Sequence, residues 1–247
     1  MDTAKIIFDR LWKDYLLQNP EAKKIYDLLV AEGENVQNDH IAFRTFDHPG
    51  INIDVLAKPF LKAGYSYAGD YVFEEKKLFA KHYEHKTDAT APRIFISQLE
   101  TGKFSDFLQN AVKTLVKRLP DTLVSSEELL FSGNAWGTPN FKTYERLREE
   151  SEYAAWLYVY GFRANHFTVS VNALSKYNTL EELNAFLKKS GFRMNDSGGE
   201  IKGTPKQLLE QSSTRAGKLP VQFEEGVHEI PACYYEFARR YPDQDGK

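Results

Sequence analysis

The chain has 247 residues, a net charge of −3 and a single cysteine, with 42% apolar and 27% charged residues. That length can bury a core as one domain or as two similar lobes, and the charge proposes neither a nucleic acid nor a membrane surface as partner. One cysteine excludes an internal disulfide and a cysteine-rich zinc site, so a cytoplasmic protein is expected.

The N-terminus carries acids and bases throughout, so it predicts no signal peptide, and no later run is long enough to span a bilayer. Residues 2–32 read as helical. Ile7, Leu11 and Tyr15, then Ile25, Leu28 and Leu29, recur at three- and four-residue steps, and Pro20 separates two helices. Alternation predicts a strand at 40–46, then a helix at about 52–63 ended by Gly64, and strands around 65–71, 78–83 and 93–99. Residues 104–160 look mostly helical, with Trp136-Gly-Thr-Pro139 as a break before a charged helix from Lys142. From 166 the alternation returns as a strand, a helix at 180–189 ended by Gly191, and shorter strands finishing at 232–238.

The second and fourth of these segments read as two copies of one βαβββ unit. Phe60-Leu-Lys-Ala-Gly-Tyr65 matches Phe186-Leu-Lys-Lys-Ser-Gly-Phe192 with one residue inserted. His40 precedes Gly64 by 24 residues and His166 precedes Gly191 by 25. The predicted fold is therefore α+β. N-terminal helices (1–35) precede a first module (36–102), a helical insertion (103–162) and a second module (163–240), the two modules forming a curled sheet around a metal cleft.

Strand alternation sorts the side chains by face. His166, Thr168, Ser170 and Asn172 share one face in the second copy, and Phe167, Val169 and Val171 the other. A face so polar is expected to look into a cleft rather than a dry core. In the first copy His40, Ala42 and Arg44 share a face; near the C-terminus Glu236 aligns with Tyr234 and Ala238. His40, His166 and Glu236 are the ingredients of a two-histidine, one-carboxylate site of the kind that holds non-haem iron. Arg44 lies about 13 Å along the strand from His40, at ~3.3 Å per residue, and its planar fork suits a substrate carboxylate. Singly, each has a plainer reading: a hydrogen-bonded strand histidine, or an arginine that neutralises Glu236 or Asp39.

Other candidates weigh less. His82 and His85 face opposite ways on a strand. His48 precedes Pro49-Gly50 in a turn, and His228 is the strongest rival ligand. Cys233 reads as a small core residue, Arg163 as a surface residue, and Ser197-Gly-Gly199 as a turn rather than a phosphate loop. Arg239-Arg240 is too small for a nucleic-acid patch.

His40-Ile-Ala-Phe-Arg44 together with Tyr235-Glu-Phe-Ala-Arg239 resembles the 2-oxoadipate dioxygenase/decarboxylase family of the vicinal oxygen chelate superfamily, over roughly 36–240. The resemblance implies an Fe(II) enzyme that takes a 2-oxo acid and O2, releases CO2 and gives a hydroxy acid. It implies His40, His166 and Glu236 as metal ligands and Arg44 as the residue that holds substrate. In the first copy the counterpart of Glu236 is expected among Ser97, Gln98 and Glu100. Two alternatives stay open: a glyoxalase-like isomerase or lyase using Zn, Ni or Mn, and a non-catalytic module binding a small carboxylate. The identity of the 2-oxo acid and the oligomeric state are not encoded in these motifs.

Overall fold

In the computed structural model, which describes residues 3–242, the break at Pro20 is a helix start. Asn19 accepts from the Ala22 N–H and Pro20 takes the first position of the second helix, so α1 (Thr3–Gln18) hands over to α2 (Pro20–Ala31) within two residues. The first module follows as β1 (Asn38–Phe46), α3 (Ile53–Lys62), β2 (Tyr65–Phe73), β3 (Leu78–His85) and β4 (Arg93–Leu99). The insertion holds α4 (Asp106–Arg118), α5 (Asp121–Val124), α6 (Phe141–Glu150) and α7 (Glu152–Tyr160). The second module repeats the first as β5 (Ala164–Ser170), α8 (Leu180–Lys189), β6 (Lys202–Thr204) and β7 (Leu209–Ser213). A separate hairpin, β8 (Lys218–Phe223) and β9 (Gly226–Pro231), intervenes before β10 (Glu236–Arg240) closes the unit.

Pairing shows the duplication directly. One curled eight-stranded sheet runs β2-β3-β4-β1-β5-β10-β7-β6. In each half the first strand lies parallel to the last, β1 to β4 and β5 to β10, and the halves meet through the antiparallel pair β1–β5. The matched helix endings have one physical cause: Gly64 and Gly191 both adopt positive φ, +100° and +91°, which lets the chain turn out of a helix without a Cβ clash.

The apolar strand faces pack on the helices as the alternation predicts. Phe167 meets the rings of Trp12 and Tyr15 on α1 at 4.9 and 5.0 Å between centroids, and Phe43 meets Phe60 on α3 at 5.4 Å. The other face of β1 and β5 brings His40, His166 and Thr168 together at the seam. No helix among the described residues is long and apolar enough to cross a membrane.

The C-terminal strand is shorter than its sequence suggests. It begins at Glu236, because the backbone just before it is claimed by other partners. Trp156 Nε1 donates to the Ala232 carbonyl (2.8 Å), Tyr15 Oη to the Tyr234 carbonyl (2.5 Å), and the Tyr235 N–H donates to Thr214 Oγ1 (3.0 Å).

Candidate metal centre

The site is built on two β-bulges. In a regular strand the residue before each histidine would point to the opposite face. The β1–β5 register slips at Asn38/His40, leaving Asp39 as the extra residue, and again at Ala42/Phe43, leaving Asn165 as the extra residue. Each bulge turns a polar side chain alongside the histidine that follows it. His40 Nδ1 then lies 2.7 Å from Asp39 Oδ1, and His166 Nδ1 lies 3.0 Å from Asn165 Oδ1. An Nδ1–H donated to these oxygens leaves Nε2 of each ring as the ligating atom; His40 Nε2 lies 3.1 Å from the Thr168 hydroxyl.

Glu236, first residue of β10, completes the cluster. Its Oε1 is 3.2 Å from His40 Nε2 and 3.9 Å from His166 Nε2, and the three donors all lie within 4.8 Å of one another. Two ligands held about 2.1 Å from a shared ion stand roughly 3–4.2 Å apart, so both distances to Glu236 suit a common divalent cation. The carboxylate is aimed by its neighbours: Gln211 Nε2 donates to Oε1 at 2.5 Å, and the fully buried Thr168 hydroxyl donates to it at 3.2 Å.

The electrostatics set two of the three donors, His166 and Glu236, in the form that ligates. Burial pushes the His166 imidazole down to about 4, against the pull of Glu236, so it stays neutral. Burial alone would raise Glu236, but its neighbours His166, His40 and Thr168 outweigh it and hold the carboxylate ionised. His40 is raised: burial lowers it, and its contacts with Asp39 and Glu236 more than offset that. Two imidazoles and one anionic carboxylate from three strands form a donor set that would suit a divalent metal such as non-haem Fe(II).

Arg44 stands near the same cluster. Its guanidinium lies over the rings of Tyr153 and Trp156 on α7, at 4.8 and 5.1 Å, and its charge acts on His166 and Tyr234. Among the described residues no carboxylate pairs with it, so it neutralises neither Glu236 nor Asp39. Tyr153 is fixed in turn, accepting from the Thr45 N–H (3.0 Å) and donating to the Ser97 carbonyl (2.7 Å). Tyr234 stacks on His166 at 4.8 Å between centroids, with 27° between the ring planes.

The first-module counterpart of Glu236 is none of the three expected residues. Glu236 pairs with Thr168, two residues beyond His166; the equivalent residue two beyond His40 is Ala42, and it pairs with Phe95. Phe95 packs edge-on against His40 at 5.1 Å, so the first module contributes an apolar wall in place of a fourth ligand. Ser97 bonds the Phe43 carbonyl, Gln98 accepts from the Ile53 N–H at the start of α3, and Glu100 pairs with Lys103.

The remaining candidates fall outside the cluster. His228 stacks on Phe141 at 3.6 Å, tying the extra hairpin to α6. His82 stacks on Phe95, His85 accepts from the Asp88 N–H, and His48 accepts from the Gly50 N–H in its turn. Cys233 is buried, with its thiol pushed up to about 12 by that burial. Arg163 is not a surface residue: its side chain is 15% exposed, donates to the Tyr160 carbonyl and faces Asp14 at 3.4 Å. Sequence reading missed Asn165, Gln211, Tyr153, Trp156 and the role of Arg240, which grips Asp39 with two nitrogens at 2.7 and 2.8 Å.

Two βαβββ modules joined through their first strands, with a donor cluster at the seam, make a fold of the vicinal oxygen chelate type. Residues 10–243 match the sequence model of a family described as 2-oxoadipate dioxygenase/decarboxylase. A chloroplastic/amyloplastic 2-oxoadipate dioxygenase/decarboxylase of Oryza sativa subsp. japonica is 36% identical over 253 residues, spanning 96% of this chain and 68% of its own. The chain belongs to the 2-oxoadipate dioxygenase/decarboxylase family. Among solved structures, a candidate hydrolase from Shewanella frigidimarina NCIMB 400 superposes with a TM-score of 0.94 at 46% identity, covering 100% of this chain and 96% of that one. The Oryza sativa hydroxyglutarate synthase in complex with 2-oxoadipate superposes with a TM-score of 0.92 at 32% identity, covering 98% of this chain and 83% of that one.

Proposed function

We propose that the protein is an Fe(II)-dependent dioxygenase/decarboxylase that converts a 2-oxo acid of the 2-oxoadipate type, with O2, into CO2 and a hydroxy acid. The observation that carries this reading is the convergence of His40, His166 and Glu236 within 4.8 Å, in a chain of this family. The rice relative solved with 2-oxoadipate supports the substrate class. His40, His166 and Glu236 hold the metal, and Fe(II) bound there supplies the oxygen chemistry. Arg44 binds a substrate carboxylate through its planar fork, steadied by Tyr153 and Trp156. Asp39 and Asn165 hold the histidine rings in the ligating orientation. Thr168 and Gln211 keep the Glu236 carboxylate turned towards the histidines. Phe95 and Tyr234 shield the two rings from water. The reaction balances with both oxygen atoms of O2 in the organic product: one in the carboxylate formed on loss of CO2, one in the new hydroxyl.

The test is O2 uptake and CO2 release by anaerobically prepared, Fe(II)-loaded protein with 2-oxoadipate and a panel of other 2-oxo acids. Matched uptake and release, abolished in His166→Ala, is the expected result. Bound iron with no uptake on any member of the panel would favour a metal-dependent isomerase or lyase instead.

A further inference from the structure

Asp39 is almost completely enclosed, its side chain 4% exposed, and it is shared between two partners. Oδ1 faces His40 Nδ1 at 2.7 Å and accepts from Arg240 Nη2 at 2.8 Å, while Oδ2 accepts from Arg240 Nε at 2.7 Å. A second cation stands further off, with Arg93 Nη1 3.9 Å from Oδ2. Arg240 is itself held at the end of β10. Its N–H donates to Asn172 Oδ1 (2.8 Å), and Asn172 Nδ2 donates back to its carbonyl (2.9 Å). The strand that carries Glu236 therefore also reaches round, four residues later, to fix the partner of His40. The second histidine has no such clamp: the Asn165 amide holds His166 Nδ1 with no arginine bound to it among the described residues.

We propose that Asp39, locked by Arg240, is a positioning residue that fixes His40 with Nε2 turned towards the centre, and that metal retention depends on this clamp. The inference rests on reading His40, His166 and Glu236 as a metal site. Asp39 Oδ1 serves His40 and Arg240 Nη2 together, and Oδ2 serves Arg240 Nε. An amide has one accepting oxygen: kept at the Oδ1 place it sets its NH2 against Arg240 Nε, and flipped it sets its NH2 against Arg240 Nη2 and His40 Nδ1. Either way a donor meets a donor of the charged guanidinium, and the clamp that fixes the His40 ring is lost. With the arginine removed, an amide suffices, as Asn165 does for His166.

The experiment is Co2+ titration of wild-type protein, Asp39→Asn, Arg240→Met and the double variant Asp39→Asn/Arg240→Met. The readouts are dissociation constants, the ligand-field absorption of the Co2+-saturated forms, and thermal midpoints of the metal-free forms. Asp39→Asn is isosteric, and the metal-free midpoints show whether each variant is folded. Asp39→Asn should weaken Co2+ binding about 10- to 100-fold, and the double variant should recover most of that loss and the wild-type absorption bands. Binding by Asp39→Asn within about twofold of wild type, or equal weakness of Asp39→Asn and the double variant, overturns the inference and leaves the metal site standing. Absence of Co2+ binding in wild type overturns both.

Discussion

Replacing Arg44 with Met separates a substrate anchor from a structural cation. Met keeps much of the stem's packing volume and removes the charge. No ion pair to Arg44 is lost among the described residues; the fold gives up its contacts over Tyr153 and Trp156 at 4.8 and 5.1 Å and its side-chain contact with Tyr234. Cation–π contacts of this kind contribute roughly 0.5–1 kcal/mol each, so urea denaturation should show a loss of about 1–2 kcal/mol for the two. Substrate binding should suffer more. A charge-assisted hydrogen bond to a carboxylate contributes about 1.5–3 kcal/mol, which corresponds to roughly a 10- to 150-fold rise in dissociation constant. Calorimetric titration of 2-oxoadipate into metal-loaded, anaerobic protein measures it. Arg44→Lys should recover only part of the loss, because an ammonium keeps the charge without the planar fork. Unchanged 2-oxoadipate affinity in Arg44→Met, with a stability loss of several kcal/mol, would refute the anchor and make Arg44 a structural residue.

Tyr153→Phe keeps the ring under Arg44 but strips the acceptor of the Thr45 N–H and the donor to the Ser97 carbonyl; urea denaturation should show a loss of about 1–3 kcal/mol with 2-oxoadipate affinity little changed. Removing metal with a chelator should lower the thermal midpoint, since an ion at about 1,000 times its dissociation constant adds ~4 kcal/mol, and Glu236→Gln should abolish the difference between metal-loaded and metal-free protein. Buried Glu34 accepts from the Ser175 and Lys176 N–H groups at 2.6 and 2.7 Å; burial would raise its carboxyl, but these bonds win and hold it low. A depressed folded-state value stabilises above the ordinary carboxyl value of about 4.3 and ceases to as pH falls, so the gap between wild type and Glu34→Gln should close in acid denaturant titrations. The Cys233 thiol, buried and pushed up to about 12, should resist a thiol reagent in the native protein at pH about 8 and react once unfolded.

The parts of this fold legible in sequence are those with a local period. The alternation of β1 and β5 exposed the polar face of His166, Thr168 and Ser170, and the paired glycine endings exposed the duplication, because a left-handed residue after a helix is a local requirement. What stayed hidden depends on pairing. The bulges at Asp39 and Asn165 break the very alternation by which strands are read, so both residues would be assigned to the wrong face. Phe95 as counterpart of Glu236 follows from the stagger of β1 on β4, which no single strand carries. Trp156 and its neighbours escaped notice because α7 is buried on every side from Ala154 to Tyr160, and a helix without a solvent face has no phase to read. The hairpin between β7 and β10 is an addition to the repeated unit, and its extended sequence blends with the module strands on either side.

Anomalous diffraction at the iron edge, from crystals loaded anaerobically with Fe(II), tests the central claim most directly. One peak at full occupancy, at ligand distances of about 2.0–2.2 Å from His40 Nε2, His166 Nε2 and a Glu236 carboxylate oxygen, is the predicted result. A peak elsewhere in the molecule, or none at this seam in protein that consumes O2 with a 2-oxo acid, would contradict it.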